Sequence, residues 1–320
     1  MLQPKHYPEL PGILIVMLGW IPLLAGSNDK IFQLLGKMID VTMNVSILIL
    51  TLNEERNLPA CLESVKWCDD IVVLDSFSTD RTVEIANSAK ARVVQRRFDN
   101  WATHQNWAVQ NIQFKHPWVY YSDADEIVPP ELRDEMFAAT RDSNTVHVAY
   151  RMRYKNFFCD RWIRHCGIYP VWVLRLFRPD RIHWERLVNP VPVVQGSEGR
   201  LENHFYHFSF NKGYEAWFEK HNKYSSQEAE EGIKTIQDGF RDWAGLLSFR
   251  GTSRRRRAMK ELSFRLPFRP TLRFLYMYVL RLGFLDGREG LTYCRLLSMY
   301  EYLIVLKMKE LRRRAMGLPI

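Results

Sequence analysis

Two aspartates separated by one alanine, Asp123-Ala-Asp125, end an apolar and aromatic run that reads as a strand, Trp118 to Ser122. Side chains alternate along a strand, so both carboxylates project to one side and can share a hard cation. Magnesium or manganese bound by one or two carboxylates keeps its other positions for water and substrate phosphates, which suits a diphosphate group. A lone Asp-x-Asp arises by chance in acidic turns, and Glu126 adds to the acidity here. Its weight depends on what else the chain brings to the same edge.

Short apolar runs rich in Val and Ile alternate with segments of helical period after Met43. Val45 to Leu52 reads as a buried strand, Leu58 to Val65 as part of a helix, and Ile71 to Leu74 as a second strand. Arg81 to Ala89 reads as a helix capped by Thr79 or Asp80, followed by a third strand at Arg92 to Gln95. A helix over Trp101 to Ile112, the strand ending at Asp123 and a helix over Pro130 to Thr140 complete the series. This alternation predicts an α/β fold with a mainly parallel sheet flanked by helices, in which ligands bind beyond the carboxyl ends of the strands. Thr51, Asn53 and Glu54, then Asp75, then Asp123 and Asp125 stand at three such ends. From Val146 to His204 the segments become shorter, more aromatic and richer in turns, which predicts mixed strands extending the sheet on the acceptor side. Gly213 to Glu231 has the pattern of an amphipathic helix.

The run Val45-Ser-Ile-Leu-Ile-Leu-Thr-Leu-Asn-Glu-Glu-Arg-Asn57, then Cys61-Leu-Glu-Ser-Val65, Ile71-Val-Val-Leu-Asp-Ser-Phe-Ser-Thr-Asp80 and Trp118-Val-Tyr-Tyr-Ser-Asp-Ala-Asp-Glu126 resembles the family 2 glycosyltransferases over roughly residues 43 to 140. The resemblance continues in Arg161-Trp-Ile-Arg-His165, Leu174-Arg-Leu-Phe-Arg178 and Tyr278-Val-Leu-Arg-Leu-Gly-Phe-Leu-Asp-Gly287. The last of these is similar to the subgroup acting on lipopolysaccharide core or exopolysaccharide intermediates. It implies a GT-A (Rossmann-like) fold, a nucleotide-diphosphate sugar donor, a divalent cation (Mg or Mn) and inversion at the anomeric carbon. By position, Thr51, Asn53 and Glu54 would face the nucleoside and Asp75 its base or ribose. Asp123 and Asp125 would hold the diphosphate through the metal. His104 and Gln105 fall where the family often places polar contacts to the donor.

Inverting transfer needs a base for the acceptor hydroxyl, and a carboxylate within hydrogen-bond reach is the natural choice. Where many family members have His-Glu after Arg-Leu-Val, this chain reads Arg186-Leu-Val-Asn-Pro190. That departure leaves Glu185 as the nearest carboxylate and Asp160 as a second candidate, with an ion pair between Glu185 and Arg178, Arg181 or Arg186 as its plainer use. His204-Phe-Tyr-His207 has no acidic or cysteine partner at metal-ligand spacing, so packed or hydrogen-bonded histidines are expected there. The five cysteines are odd in number and lack close C-x-x-C pairing, which argues against a disulfide framework or a zinc cluster and fits a reducing compartment.

The chain has 320 residues, 47% of them hydrophobic and 25% charged, as a globular protein does. Its net charge of +9 is unevenly placed: from Arg241 onward 18 Lys/Arg face 6 Asp/Glu, so that segment carries +12 and the remainder −3. Between Phe264 and Arg314 arginines alternate with Leu, Phe, Tyr and Met, with Arg269, Arg273 and Arg281 beside apolar faces. This composition predicts a helical region, 241–320, lying on an anionic membrane face, where a lipid-linked acceptor would be met. Leu291 to Leu306 is a more apolar segment that either lies beside the first or packs on the catalytic domain. No RNA- or DNA-binding motif accompanies the arginines, so nucleic acid is not an expected partner. The expected organisation is an N-terminal extension over 1–42, either a shallow membrane anchor or dispensable, and a catalytic domain over 43–240. Its donor half is 43–140 and its acceptor half 141–240, and the protein is expected on the cytoplasmic face of the membrane. Two other readings share the strand-end aspartates, a nucleotidyltransferase and an inactive nucleotide-sugar-binding protein. The first lacks a glycine-rich phosphate loop near the first strand.

Overall fold

The computed structural model describes residues 44–142, 144–185, 190–239, 242–246 and 252–320. The N-terminal extension, Arg186 to Asn189 of the departure from the family and most side chains of Arg254-Arg-Arg-Arg257 lie outside the described residues.

Strand β1 (Val45–Thr51, VSILILT) is buried at every position, which is why it reads as a continuous apolar run rather than an alternating one. Helix α1 (Leu58–Val65) starts with Pro59 in its first turn and buries Leu58, Cys61, Leu62 and Val65. Strand β2 (Ile71–Asp75), helix α2 (Thr82–Ser88), strand β3 (Arg92–Gln95) and helix α3 (Trp101–Asn111) follow. Helix α3 is capped by Asn100, whose side chain accepts from the Thr103 N–H. Strand β4 (Trp118–Asp123) runs directly into the Asp-Ala-Asp turn; the two-residue strand β5 (Glu126–Ile127) and helix α4 (Pro130–Arg141) come next.

The first four strands form the expected parallel block in the order β3-β2-β1-β4. The sheet then becomes mixed. Three strands, β6 (His147–Phe158), β8 (Trp172–Phe177) and β11 (Ser197–His207), extend it in the order β4-β8-β6-β11, with β5 at the far edge. Strand β8 runs antiparallel to both β4 and β6, whereas β6 and β11 are parallel. A two-residue strand, β7 (Arg161–Trp162), folds back on the end of β6. Strands β9 (Ile182–Glu185) and β10 (Val191–Val194) form a separate two-stranded sheet. The core has two faces. One packs β1, β4 and β6 on α1 and α4 through Leu58, Val65, Leu132 and Met136; the other packs Val72, Leu74, Val119 and Phe177 on α3. This is the α/β, GT-A-like architecture that the alternation and the resemblance imply.

Helix α5 (Gly213–Gln237), the short helix α6 (Trp243–Leu246), α7 (Thr252–Ser263), α8 (Arg269–Leu275) and the 29-residue α9 (Gly287–Ala315) build the C-terminal part. Helix α9 contains the apolar segment Leu291 to Leu306 and packs it on α5 and its neighbours through Ala229, Phe264, Ile304 and Met308. No helix among the described residues is long and apolar enough to cross a membrane.

Two motifs far apart in the chain meet here. Asp286, buried at the start of α9, accepts from the backbone N–H of Arg164 at 3.3 Å and of His165 at 2.8 Å, and lies 2.8 Å from His165 Nδ1. Arg161 pairs with Glu289 at 3.3 Å, and the Arg281 carbonyl accepts from the Cys166 N–H. The segments 161–166 and 281–289 thus form one clasp that fixes the C-terminal helices behind the β6–β7 hairpin.

Candidate active site

Strands β1 and β2 end side by side, with Thr51 in register with Asp75. Asp75 is fully buried: Oδ1 accepts from the Thr51 hydroxyl at 3.0 Å and from the Ser78 hydroxyl, and Oδ2 from the Ser78 N–H at 2.9 Å and the Gln95 amide at 3.1 Å. The carboxylate expected at the base or ribose therefore lies beneath the 76–80 loop and braces it. Asn53 takes a left-handed backbone (φ 54°), which asparagine tolerates, donates its N–H to Ser78 Oγ at 2.8 Å and accepts from the Thr79 N–H at 2.8 Å. Asp80 accepts from the N–H of Thr82 at 3.0 Å, although the N-cap position of α2 is Arg81 rather than the expected Thr79 or Asp80. It also accepts from the Glu55 N–H at 3.1 Å. The two loops beyond β1 and β2 are one laced unit.

Glu54 donates its N–H to Thr82 Oγ1 at 2.7 Å, and its carboxylate takes the Asn57 amide at 2.9 Å and the Lys212 ammonium. Burial pushes its carboxyl above the usual range, opposed by Lys212 and Asn57. Lys212 comes from the loop after β11, so the acceptor half reaches across to the donor loops.

At the end of β4, Asp123 accepts from the Tyr121 hydroxyl at 2.8 Å and from Arg175 at 2.7 Å. Arg175, on β8, also pairs with the buried Glu126 and lies over the rings of Tyr121 and Phe205. Burial pushes the Glu126 carboxyl upward, against the pull of Arg175. Asp125 has a different partner, with its Oδ2 at 3.4 Å from His207 Nε2 and its carbonyl accepting from the Phe208 N–H at 2.8 Å. Burial works against the Asp125 carboxylate, but His207 and Lys220 hold it down at about 2. His207 is raised in turn, because Asp125 outweighs the cost of its own burial. The two aspartates of the triplet are thus electrostatically distinct: Asp123 is tied to an arginine, and Asp125 faces an imidazole.

His104 and Gln105 sit on the inner face of α3, both buried. His104 Nδ1 is 2.8 Å from Arg96, and burial holds the ring at about 4 and hence neutral near pH 7. Gln105 reaches the Tyr121 hydroxyl, which itself binds Asp123, so its route to the strand end runs through tyrosine. Glu185 is exposed at the end of β9, 3.3 Å from His183, while Arg181 pairs with Asp180. Asp160 stands in the two-residue turn between β6 and β7, at the rim of a pocket continuous with the loop after β11.

Five residues with a place at this edge had no assigned role in the sequence: Tyr121, Glu126, Arg175, His207 and Lys212. Arg175 had a signal, since an arginine inside the apolar run Val173-Leu-Arg-Leu-Phe177 must find a buried partner. His207 had none. Its acidic partner stands on a turn 82 residues earlier, so spacing along the chain hid it. His207 is thus a partnered histidine, with an acidic partner that lies far outside metal-ligand spacing in the sequence; burial and nearby cations lower His204, two residues away.

Residues 46–199 match the model of glycosyl transferase family 2. Over 115 residues the chain is 33% identical to the lipopolysaccharide core biosynthesis glycosyltransferase LpsC of Rhizobium meliloti, covering 33% of this chain and 42% of that protein. An uncharacterized glycosyltransferase of Rickettsia bellii is 32% identical over 115 residues, 35% of this chain and 38% of the relative. The chain thus spans about two fifths of these curated relatives. Among solved structures, the mannosyltransferase PcManGT of Pyrobaculum calidifontis, in complex with GDP-Man and Mn2+, overlaps 84% of this chain and 88% of its own at TM-score 0.46 and 14% identity. The segment that supplies the laced loops, the Asp123 to Asp125 turn and Arg175, residues 46–199, is a glycosyl transferase family 2 domain.

Proposed function

We propose that this protein is an inverting glycosyltransferase that moves a sugar from a nucleotide-diphosphate donor to a hydroxyl of a saccharide or lipid-linked acceptor, in the synthesis of a cell-envelope polysaccharide or lipopolysaccharide. The observation that carries the reading is the pairing of an ionised Asp125 with His207 at the end of β4, beside the laced loops of β1 and β2. Thr51, Asn53, Glu54 and Asp75 shape the nucleoside side, Asn53 and Glu54 by contact and Asp75 by bracing the 76–80 loop. Asp123 meets the donor with Arg175 balancing its charge, and His104 and Gln105 support that end through Arg96 and Tyr121.

Among the described residues no three His, Cys, Asp or Glu side chains form a ready cation cage. Magnesium asks for less, since one or two carboxylates and substrate phosphates complete its shell. The carboxylate oxygens of Asp125 and Asp123 are donors of the right hardness for Mg or Mn, and His207 at 3.4 Å orients Asp125 rather than joining them. A cation held by these carboxylates would supply Lewis-acid stabilisation of charge developing on a leaving diphosphate. The acceptor hydroxyl loses its proton to Glu185 or Asp160 and attacks the anomeric carbon as the nucleoside diphosphate departs from the opposite face. A screen of nucleotide sugars for divalent-cation-dependent release of nucleoside diphosphate tests the reading. Release of pyrophosphate would favour a nucleotidyltransferase, and no turnover of any donor would favour a binding protein.

The base is separable by substitution. Glu185→Gln is expected to lower turnover roughly 10²-fold or more with donor affinity retained, as loss of general-base catalysis does. Near-normal turnover in steady-state kinetics would leave Asp160 as the base.

The C-terminal part supports docking on a membrane at the cytoplasmic face, by a different surface from the one the composition suggests. Arg269 is buried in an ion pair with Glu301 at 2.7 Å and stacks over Phe264, so it is not a lipid contact. The exposed apolar side chains of this part instead include Leu266, Phe268, Leu272, Leu275, Val279 and Leu280, with Phe268 79% and Leu280 73% exposed. Leu282, Phe284 and Leu285 continue the series, with exposed Arg281 and Arg288 next to them in the chain. Exposed large apolar side chains concentrated in one stretch of the chain favour an interaction surface, and the cations among them match an anionic bilayer. Phe268→Asp combined with Leu280→Asp is expected to cut co-sedimentation with vesicles containing phosphatidylglycerol at least tenfold, since each buried side chain contributes about 1.5–3 kcal/mol. Wild-type protein remaining in the supernatant at low salt would rule docking out.

A further inference from the structure

The chain holds a second feature at the same edge, a pocket of about 250 Å³ lined by Phe158, Cys159, Asp160, Phe208, Phe210 and Tyr214. It begins where the cation-side residues end. His207 faces Asp125, the next residues form the pocket wall, and Lys212 beyond them returns to Glu54. Any group seated there lies beside the strand end where the donor diphosphate would sit.

We infer that this pocket is the acceptor subsite and that it takes a single pyranose ring, the apolar face of the sugar stacked on the aromatic wall and its hydroxyls met by Asp160 and Asn211. The inference rests on the sugar-transfer reading above and deepens it by naming what the acceptor presents. Three observations carry it. First, the wall is aromatic but not closed: Phe158 and Phe210 pack edge to face at 4.4 Å, while Tyr214 stays 47% exposed. Tyr214 packs edge-on to Phe158 at 6.3 Å with its hydroxyl 3.6 Å from Cys159 Sγ, so a half-exposed ring held in place by its neighbours offers an apolar face beside polar groups. Second, the size selects among ligands. Drug-sized ligands occupy roughly 300–1,000 Å³, so this space admits one ring and not a lipid-linked oligosaccharide whole. The remainder of such an acceptor must lie outside.

Third, the rim is strained. The β6–β7 hairpin turns through Cys159 (φ 48°) and Asp160 (φ 59°), a left-handed pair that two-residue hairpins ordinarily fill with Asn-Gly. Strain of this kind survives where surrounding structure overdetermines it, and it gathers at ligand sites. Here the clasp of Asp286, Arg161 and Glu289 supports the hairpin from behind. The strained turn holds the Asp160 side chain at the pocket rim, where a glycine would leave no carboxylate.

The test uses the full chain and simple probes, methyl and octyl glycosides of glucose, galactose and mannose, followed by saturation-transfer NMR. Ring protons of at least one glycoside should receive saturation in the wild type. Tyr214→Ala and Asp160→Asn should each reduce that signal at least fivefold, with an unchanged melting temperature, and Tyr214→Phe should keep it. Absence of ring saturation in the wild type, equal signals in all variants, or saturation confined to the octyl chain would overturn the inference. The sugar-transfer reading fails by a separate measure, the absence of nucleoside diphosphate release from every donor, and glycoside binding is scored independently of it.

Discussion

Asp125→Ala is expected to lower divalent-cation-dependent release of nucleoside diphosphate by roughly 10³-fold, the scale on which preorganised charge stabilisation acts. The folded structure should persist. The Asp125 carboxylate has one close charged partner, His207 at 3.4 Å, and the turn is pinned by the backbone instead, through the Asp125 carbonyl and the Phe208 N–H at 2.8 Å. The substitution thus removes a charge from the strand end without opening it. Donor release, measured beside a thermal melt, separates the two effects. A variant retaining more than a tenth of wild-type turnover would remove Asp125 from the cation site and leave Asp123 alone to fill it.

Arg175→Met has the larger effect on stability, an expected loss of about 3–5 kcal/mol, because breaking a buried pair from one side leaves uncompensated charge. Arg175 serves two carboxylates at once, Asp123 at 2.7 Å and the buried Glu126. Methionine keeps much of the volume and the contact with Tyr121 and Phe205 but not the charge. Domains are stable by about 5–15 kcal/mol, so a loss of that size moves a urea midpoint visibly. Adding Glu126→Gln should restore part of it by removing the orphaned charge. An unchanged midpoint in Arg175→Met would mean that Glu126, which burial already favours in its protonated form, holds a proton in the folded protein.

How far the site was legible follows from where each contact comes from. The elements of the donor half came through because their signals are local: a strand buried on both faces shows as VSILILT, a helix as a stretch of 3.6-residue period, a strand end as the change from apolar to acidic residues. Strand β8 was foreseen only as part of a mixed extension. Its insertion between β4 and β6, antiparallel to both, depends on sheet order, which no local pattern encodes. That insertion is what brings Arg175 to Asp123.

The Asp123 to Asp125 turn, its place after a strand and its convergence with Asn53, Glu54 and Asp75 on one sheet edge are properties of the sequence, since strands joined by helices run parallel and so put the ends of β1, β2 and β4 on the same edge. The concentration of positive charge after Arg241 is also there. What the tertiary structure alone decided is the state of those groups. It buried Asp75 under four donors, divided the two aspartates between Arg175 and His207, and joined 161–166 to 281–289. It also turned Arg269 inward while leaving Phe268 exposed. Apart from the bonds from Ser78 to Asp75, each of these is a contact between residues far apart in the chain, or a choice of which side of a helix faces the core. Such choices follow from packing of the whole chain, because a side chain's partner and solvent exposure are set by what the fold places beside it.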